Sequence, residues 1–111
     1  MTESEYHQEA DRILLAIEEA VDAITASGQS DIEVEGNGGI VELHFEDGSK
    51  MVINKQEPLL QIWVATRYNG HHFEKQGDQW VDRRGGGELK AFLDAAISRQ
   101  AGVDLKLGLE I

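Results

Sequence analysis

The feature that most constrains this chain is a change in the spacing of its apolar residues, from helical to alternating and back to helical. In the first segment they recur at steps of three and four, which places on one helical stripe Tyr6, Ala10, Ile13, Leu14, Ile17, Val21 and Ile24. Thr2 and Glu5 have the spacing of a capping box, and Ser27-Gly28 is a plausible stop. The pattern therefore predicts a first helix over about residues 3–26.

From residue 31 the period becomes two, as expected for strands with one buried face. Turn signals separate these strands: GNGG at 36–39, Asp47-Gly48 and Gly77-Asp78. Pro58 lacks an N–H and is expected to break the ladder before a fourth strand, LLQIWVAT. Strands are thus predicted over about residues 31–83 and a second helix over about 87–101. The tail, 102–111, alternates weakly and is expected to pack as an extended segment across the helices.

One helix, a run of hairpin-linked strands and a second helix together predict an α+β fold. We expect a two-layer α-β sandwich, with both terminal helices on one face of an antiparallel sheet of five to seven strands. A length of 111 residues suits a single domain spanning 1–111. The opposite face of the sheet is then solvated.

Composition excludes several classes of function. The chain has no cysteine, and therefore no disulfide, thiolate nucleophile or cysteine ligand for a metal or cluster. No apolar run approaches the length of a membrane span, and no signal peptide is recognisable, so we expect an unprocessed cytoplasmic protein. The net charge is −11. Residues 1–50 hold thirteen acidic and two basic side chains, whereas residues 51–111 hold eight of each. This charge disfavours nucleic acid and anionic membranes and favours cations or a basic partner.

Helix 1 breaks a local rule, because Glu18, Glu19 and Asp22 lie in its C-terminal half, where the helix dipole is negative. They also form like-charge pairs at spacings of three and four, each costing about 0.2–0.5 kcal/mol. Asp31, Glu33 and Glu35 follow on the first strand. One interpretation is a solvated face that keeps the protein soluble, and the other is a weak, shallow site for an oxygen-preferring cation.

The four histidines give no zinc-hydrolase motif. His7 shares a helical face with Asp11, which suggests either a minor metal-ligand pair or an ordinary surface histidine. The segment RRGGGE at 83–88 lacks a phosphate-loop pattern, and its Glu88 occupies the place of a phosphate. No catalytic triad or carboxylate pair can be assigned, so an enzyme is not expected.

Trp63 is predicted to point away from the core, because Leu60, Ile62 and Val64 are expected to face inward at period two. An exposed tryptophan among the uncharged groups of Asn54, Gln56 and Gln61 is typical of an interface hot spot. The alternative is that the tail or a loop covers the ring. Trp80 is assigned to the core or its edge.

The spacing N-x-Q-x-P-x-x-Q-x-W, at residues 54–63, resembles the frataxin family, and its bacterial form in particular. NGGIVELHFEDGSK before it, and GHHF and QWVDRRGG after it, extend the resemblance from about Ser4 to Gly102. It implies the sandwich described above, no catalytic site, and a role in iron–sulfur cluster assembly. Iron, as Fe²⁺ or Fe³⁺, would bind weakly at the surface, without an organic cofactor. The implied metal ligands are His7, Asp11, Glu18, Glu19, Asp22, Asp31 and Glu33.

The resemblance also implies partners, namely the cysteine desulfurase and the iron–sulfur scaffold protein. The implied partner contacts are Asn54, Gln56, Gln61 and Trp63. The segment AITASGQS, between Asp22 and Asp31, lacks the acids common in relatives, which argues against tight or multi-iron binding. Three hypotheses follow: an iron-binding regulator or iron donor, an acidic docking module without physiological iron, and, ranked last, a ferroxidase. A metal-free monomer is expected. Iron-dependent oligomers and the roles of Lys55, Arg67, Arg83 and Arg84 stay open.

Overall fold

A computed structural model describes residues 1–111. The helices are α1 (Glu3–Ala26), a short 3₁₀ helix (Glu57–Leu59) and α2 (Leu89–Ala101). The strands are β1 (Glu33–Asn37), β2 (Ile40–His44), β3 (Lys50–Gln56), β4 (Gln61–Ala65), β5 (Gly70–Gln76), β6 (Gln79–Asp82) and β7 (Gly87–Glu88). Neither long helix is apolar enough over a sufficient length to cross a membrane.

Both helices begin and end at residues suited to these positions. Thr2 and Glu5 form the predicted capping box: the Glu5 N–H donates to Thr2 Oγ1 at 3.1 Å, and the Thr2 N–H donates to Glu5 Oε1 at 2.8 Å. Glu88 caps α2 by accepting from the N–H of Lys90 at 2.8 Å. A side-chain carboxylate thus takes the anion position at this helix start. Gly102 ends α2 with φ +77°, a conformation that glycine adopts without strain.

The seven strands form one antiparallel sheet in which spatial order follows sequence order, β1 to β7. Alternate side chains of each central strand are buried, including Leu43, Met51, Ile53, Ile62 and Phe73. The seven residues predicted as the apolar stripe of α1 are the buried residues of that helix. Together they form one core between the sheet and the two helices. The α-β sandwich is therefore confirmed, with the full seven strands.

The structure differs from the predicted strand pattern at three places. The turn predicted at 36–39 is shorter, because Gly36 and Asn37 belong to β1. The predicted fourth strand begins at Gln61 rather than Leu59, because Pro58 starts a 3₁₀ turn and Leu60 adopts a left-handed conformation with φ +52°. Leu60 is consequently only half-buried. The two-residue strand β7 was not predicted, since Gly87–Glu88 is too short to show a period.

The C-terminal tail packs as an extended segment, as its alternation predicted. Leu105 and Leu107 are buried, and the backbone of Leu105 bonds to Ser98 Oγ in α2 through both its N–H and its C=O. The N–H of Leu107 donates to Asp94 Oδ1 at 2.9 Å. The tail therefore lies on the helical layer and leaves the opposite sheet face uncovered.

Candidate functional site

Two acidic residues in the N-terminal half of α1, Glu9 and Asp11, are paired with lysines of the sheet. Lys55 of β3 donates to Asp11 Oδ1 at 2.7 Å, and Lys75 of β5 donates to Glu9. The Lys55 side chain is 16% exposed, so this ammonium is held against the protein. Asp11 is therefore partly neutralised and is directed toward Lys55 rather than His7.

His7 joins two other acidic residues instead. Its Nε2 lies 3.3 Å from Glu57 Oε1 and 3.9 Å from Glu3 Oε1. Hydrogen bonding with the Glu3 side chain, and then with His7, lowers the pKa of the Glu57 carboxyl. These three side chains bring their ligand atoms within 4.8 Å of one another, so they form one group that could hold a metal ion.

Five predicted metal ligands form no ion pair at all: Glu18, Glu19, Asp22, Asp31 and Glu33. We call these five residues the acidic ridge. All are exposed except Glu18, which is half-buried. The structure does not gather any three of them into a group with ligand atoms within 4.8 Å. The ridge is thus an exposed, negatively charged surface rather than a preformed metal site.

Two local contacts hold the ridge together. Gly36 of β1 has no side chain, and a Cβ there would lie 2.5 Å from Glu18 Oε1, so the Glu18 carboxylate rests against the β1 backbone. Thr25, in the last turn of α1, bonds through Oγ1 to both the C=O and the N–H of Ile32. These bonds set Asp31 beside the end of α1 and align β1 with the helix.

A second group of possible metal ligands lies on the hairpin of β1 and β2, comprising Glu35, Glu42 and His44. Sequence reasoning missed it, as it missed Glu3 and Glu57. The hairpin register was a usable signal, since the turn at GNGG pairs Glu35 with Glu42 and Glu33 with His44. Outward residues of paired strands lie on one face, and this would have placed the three together.

The solvated face of the sheet, which we call the outer face, carries Trp63 as predicted. The ring is half-buried, and His72 of β5 stacks on it with the ring centroids 4.0 Å apart and the planes within 10°. Trp63 Nε1 donates to Gln61 Oε1 at 2.8 Å. A neighbouring strand, rather than the tail or a loop, therefore covers one side of the indole and fixes its orientation.

The predicted partner contacts surround this ring. Asn54 pairs directly with Trp63 in the register of β3 and β4, and Gln56 pairs with Gln61. Ile40 of β2, which is 44% exposed, lies directly opposite Asn54 on the side away from Trp63. The outer face therefore offers a rigid aromatic ring, an exposed aliphatic residue and three amide side chains. Such a combination is typical of a protein-binding surface.

The four basic residues without an assigned role have structural contacts. Lys55 holds Asp11, Arg67 bonds to Asp47 at 2.6 Å, and Arg83 bonds to Glu74 at 2.7 Å. The backbone N–H of Arg84 donates to Asp82 Oδ1 at 2.9 Å. Asp47 has a lowered pKa, chiefly because the Ser49 hydroxyl and N–H donate to it.

Asp82 is the buried carboxyl of the structure, with a side chain 4% exposed. Burial alone would raise its pKa, but the N–H of Arg84, His71 Nδ1 at 2.9 Å and the N–H of Gly86 outweigh burial and lower it. His71 faces α2, where its ring lies 4.4 Å from that of Phe92, whereas His72 faces outward. The adjacent histidines thus point to opposite faces. The contacts of Asp82 are all within the fold, so we assign this carboxylate a structural role.

A family model described as a frataxin-like domain matches residues 1–103. The chain belongs to the frataxin-like family. Among curated proteins, the iron-sulfur cluster assembly protein CyaY of Shewanella sp. (strain ANA-3) is 46% identical over 105 residues, which is 95% of this chain and 96% of the relative. The resemblance carried by the spacing from Asn54 to Trp63 is thereby confirmed.

Solved structures of the family agree with this assignment. Frataxin from Psychromonas ingrahamii is 34% identical, with a TM-score of 0.80 over 98% of this frataxin-like chain and 100% of that one. Trimeric frataxin from Saccharomyces cerevisiae, solved "complexed with ferrous", is 26% identical, with a TM-score of 0.73 over 85% of this chain and 86% of that one. The architecture is therefore that of frataxins along nearly the whole chain.

Proposed function

We propose that this frataxin-like protein acts in iron–sulfur cluster assembly, where it binds iron weakly and docks on the complex of cysteine desulfurase and scaffold protein. Its role there is to regulate cluster biogenesis, and iron donation would use the same surface. The assembly role is supported by the name of the curated relatives. The proposal includes no catalytic step by this chain, and it places the protein in the cytoplasm.

The observation that carries the proposal is the absence of any ion pair along the acidic ridge. The available lysines neutralise Glu9 and Asp11, and the ridge begins beyond them. No basic residue lies in the last turn of α1. Unscreened carboxylates at the negative end of a helix attract cations and basic protein surfaces over about a Debye length, ~8 Å at physiological salt.

Iron is the cation we propose for the ridge, with Glu18, Glu19, Asp22, Asp31 and Glu33 as ligands. Carboxylate oxygens are hard donors, and an open surface with few fixed ligands gives modest affinity. His7 and Asp11 complete the proposed set at its margin, where each already has another contact. The ferrous complex of the yeast relative supports iron as the metal.

Docking is proposed to use two surfaces. The ridge would meet a basic patch of the desulfurase and set the association rate, while the outer face around Trp63 would supply specific contacts from Asn54, Gln56 and Gln61. The orientation of the indole, fixed by Gln61 and His72, supports this assignment, because an ordered ring loses little entropy on binding.

A second candidate function is an acidic docking module that modulates the desulfurase without physiological iron binding. The lack of any three-ligand group within the ridge favours it, because a surface that only steers a partner needs no clustered ligand atoms. Both candidates predict docking, and they differ only in the response to iron.

The experiment is a ¹H–¹⁵N NMR titration with anaerobic Fe²⁺, repeated with purified cysteine desulfurase. We expect iron to broaden the amides of the ridge selectively and the desulfurase to broaden the same set. The variant Glu18→Gln/Glu19→Gln/Asp22→Asn should lose both responses. If iron has no effect below millimolar concentration while the desulfurase broadens the amides of the ridge, the docking-module hypothesis is correct and iron binding at the ridge is rejected.

The matched control removes the same charge elsewhere. Asp78, Asp104 and Glu110 are exposed and form no side-chain ion pair, so Asp78→Asn/Asp104→Asn/Glu110→Gln leaves the ridge unchanged. This variant should keep both responses. An equal loss in the control would mean that net charge, and not the ridge, governs binding, and the proposed site would be rejected.

A further inference from the structure

The hairpin of β1 and β2 brings an imidazole and two carboxylates together on the outer face. Glu35 and Glu42 are directly opposite in the register, and His44 lies two residues beyond Glu42 on the same side of β2. Their three ligand atoms lie within 4.8 Å of one another. The group shares no residue with the acidic ridge and arises from cross-strand pairing rather than from a run of acids.

This arrangement has an unfavourable charge distribution as it stands. Like charges directly opposite across an antiparallel pair repel each other. Lys50 offsets part of this repulsion, with Nζ 3.6 Å from Glu42 Oε1. The carboxylate of Glu35 has only His44 near it, at 4.0 Å, which is too long for a hydrogen bond. The repulsion between the two glutamates is therefore only partly relieved within the chain.

His44 provides the second, independent observation. Its Nε2 is buried from solvent and has no hydrogen-bond partner, although 38% of the side chain is exposed. A buried nitrogen without a partner is unfavourable, and such atoms in native structures call for an explanation. The nearest ionisable group is the Glu35 carboxylate, whose Oε1 lies 4.0 Å from Nε2, and the ligand atoms of His44, Glu35 and Glu42 lie within 4.8 Å of one another.

We propose that Glu35, Glu42 and His44 form a second metal site, which binds a divalent transition metal such as Fe²⁺, Co²⁺ or Zn²⁺. Imidazole favours these ions over Mg²⁺ and Ca²⁺, and the chain has no thiolate to compete. Metal–ligand bonds of about 2.0–2.2 Å place neighbouring ligand atoms roughly 3 Å apart. The 4.0 Å separation of His44 and Glu35 closes by rotation of Glu35, whose side chain is 70% exposed.

The position of the site gives it a consequence for docking. It lies on the outer face with Trp63, and Glu42 is separated from β4 by a single strand, through Val52 and then Ala65. A bound divalent ion cancels the two negative charges at this edge of the outer face. Occupancy therefore changes the charge that a partner meets beside Trp63.

The test is a Zn²⁺ titration followed through the imidazole ¹⁵N resonances of the histidines, with circular dichroism as a check on folding. We expect the Nε2 resonance of His44 to shift on Zn²⁺ addition and to be unaffected by excess Mg²⁺. Glu35→Gln and Glu42→Gln should each weaken the His44 response by about tenfold. The amides of α1, observed in the same samples, report the ridge separately.

The control is His72→Gln, which removes an imidazole from the same face without touching the three ligands. It should leave the His44 titration unchanged. A His44 resonance that does not move with Zn²⁺ overturns the proposal, and so does an unchanged response in both glutamate variants, which would mean that the imidazole binds metal alone. His44→Gln should abolish one binding step for Co²⁺ while the response of Glu18 and Asp22 persists.

Discussion

Replacement of Trp63 by alanine is expected to weaken docking on the cysteine desulfurase and scaffold complex far more than it weakens the fold. His72 already covers one face of the ring, so a partner can cover about half of the roughly 150–250 Å² of a tryptophan. At ~25 cal/mol/Å² this contact contributes about 2–3 kcal/mol, which corresponds to a 30- to 140-fold change in Kd. The loss lies in the range of interface hot spots.

The cost to the fold is smaller, because the indole lies outside the core. The variant loses the stack with His72, worth about 0.5–1.5 kcal/mol, and the bond to Gln61, worth about 1 kcal/mol and partly replaced by water. We expect the free energy of unfolding to fall by about 1–2 kcal/mol and Tm by roughly 5–10 °C. The variant should therefore be fully folded at 25 °C.

Isothermal titration calorimetry with the purified desulfurase and scaffold measures the first effect, and thermal unfolding measures the second. Tyr68→Ala is the matched control, because Tyr68 is an exposed aromatic in the β4–β5 loop that packs on Arg99 rather than on the outer face. It should bind like the parent. Binding by Trp63→Ala within about threefold of the parent, or equal weakening by the control, would refute the assignment of the outer face.

Three further outcomes are expected. Asp82→Asn should lower the free energy of unfolding at pH 7 by about 1–3 kcal/mol in urea denaturation, with Asp78→Asn unchanged. Because the folded pKa of Asp82 lies below the unfolded value, this stabilisation is complete above about pH 4 and disappears as pH falls through the folded pKa, so parent and variant should converge in acid. Lys55→Ala removes the cation beside Asp11 and should raise the Fe²⁺ affinity of the ridge about two- to threefold by NMR. Thr2→Ala should lower Tm by roughly 5 °C, since the capping box contributes about 1 kcal/mol.

Periodicity was sufficient to predict the fold because each helix and each central strand buries one regular face. The stripe from Tyr6 to Ile24 and the inward positions of β4 are local properties of the sequence. The misses occur where backbone geometry overrides the pattern. Leu60 fits the alternation, but the turn started by Pro58 gives it φ +52° and moves it out of the strand.

The candidate site was harder to predict from the sequence than the fold, because ion pairing depends on residues far apart in the chain. Asp11 could not be separated from the ridge by sequence, since its partner Lys55 is 44 residues away. The orientation of Trp63 was a local property and was predictable, whereas its stacking on His72 required the register of β4 and β5.

The placement of the two lysines defines where the protein can act as an electrostatic surface. Lys55 and Lys75 reach α1 from the sheet and neutralise only its N-terminal half, although the C-terminal half has the more unfavourable charge arrangement. Three unfavourable effects act together there on Glu18, Glu19 and Asp22. These side chains repel each other at spacings of three and four, they lie toward the negative end of the helix dipole, and the last turn has no basic residue. Selection for stability alone would relieve at least one of these, for instance by a lysine four residues along. Local rules broken together at one place, and obeyed on the rest of the same helix, are expected where a cation or a basic partner completes the surface.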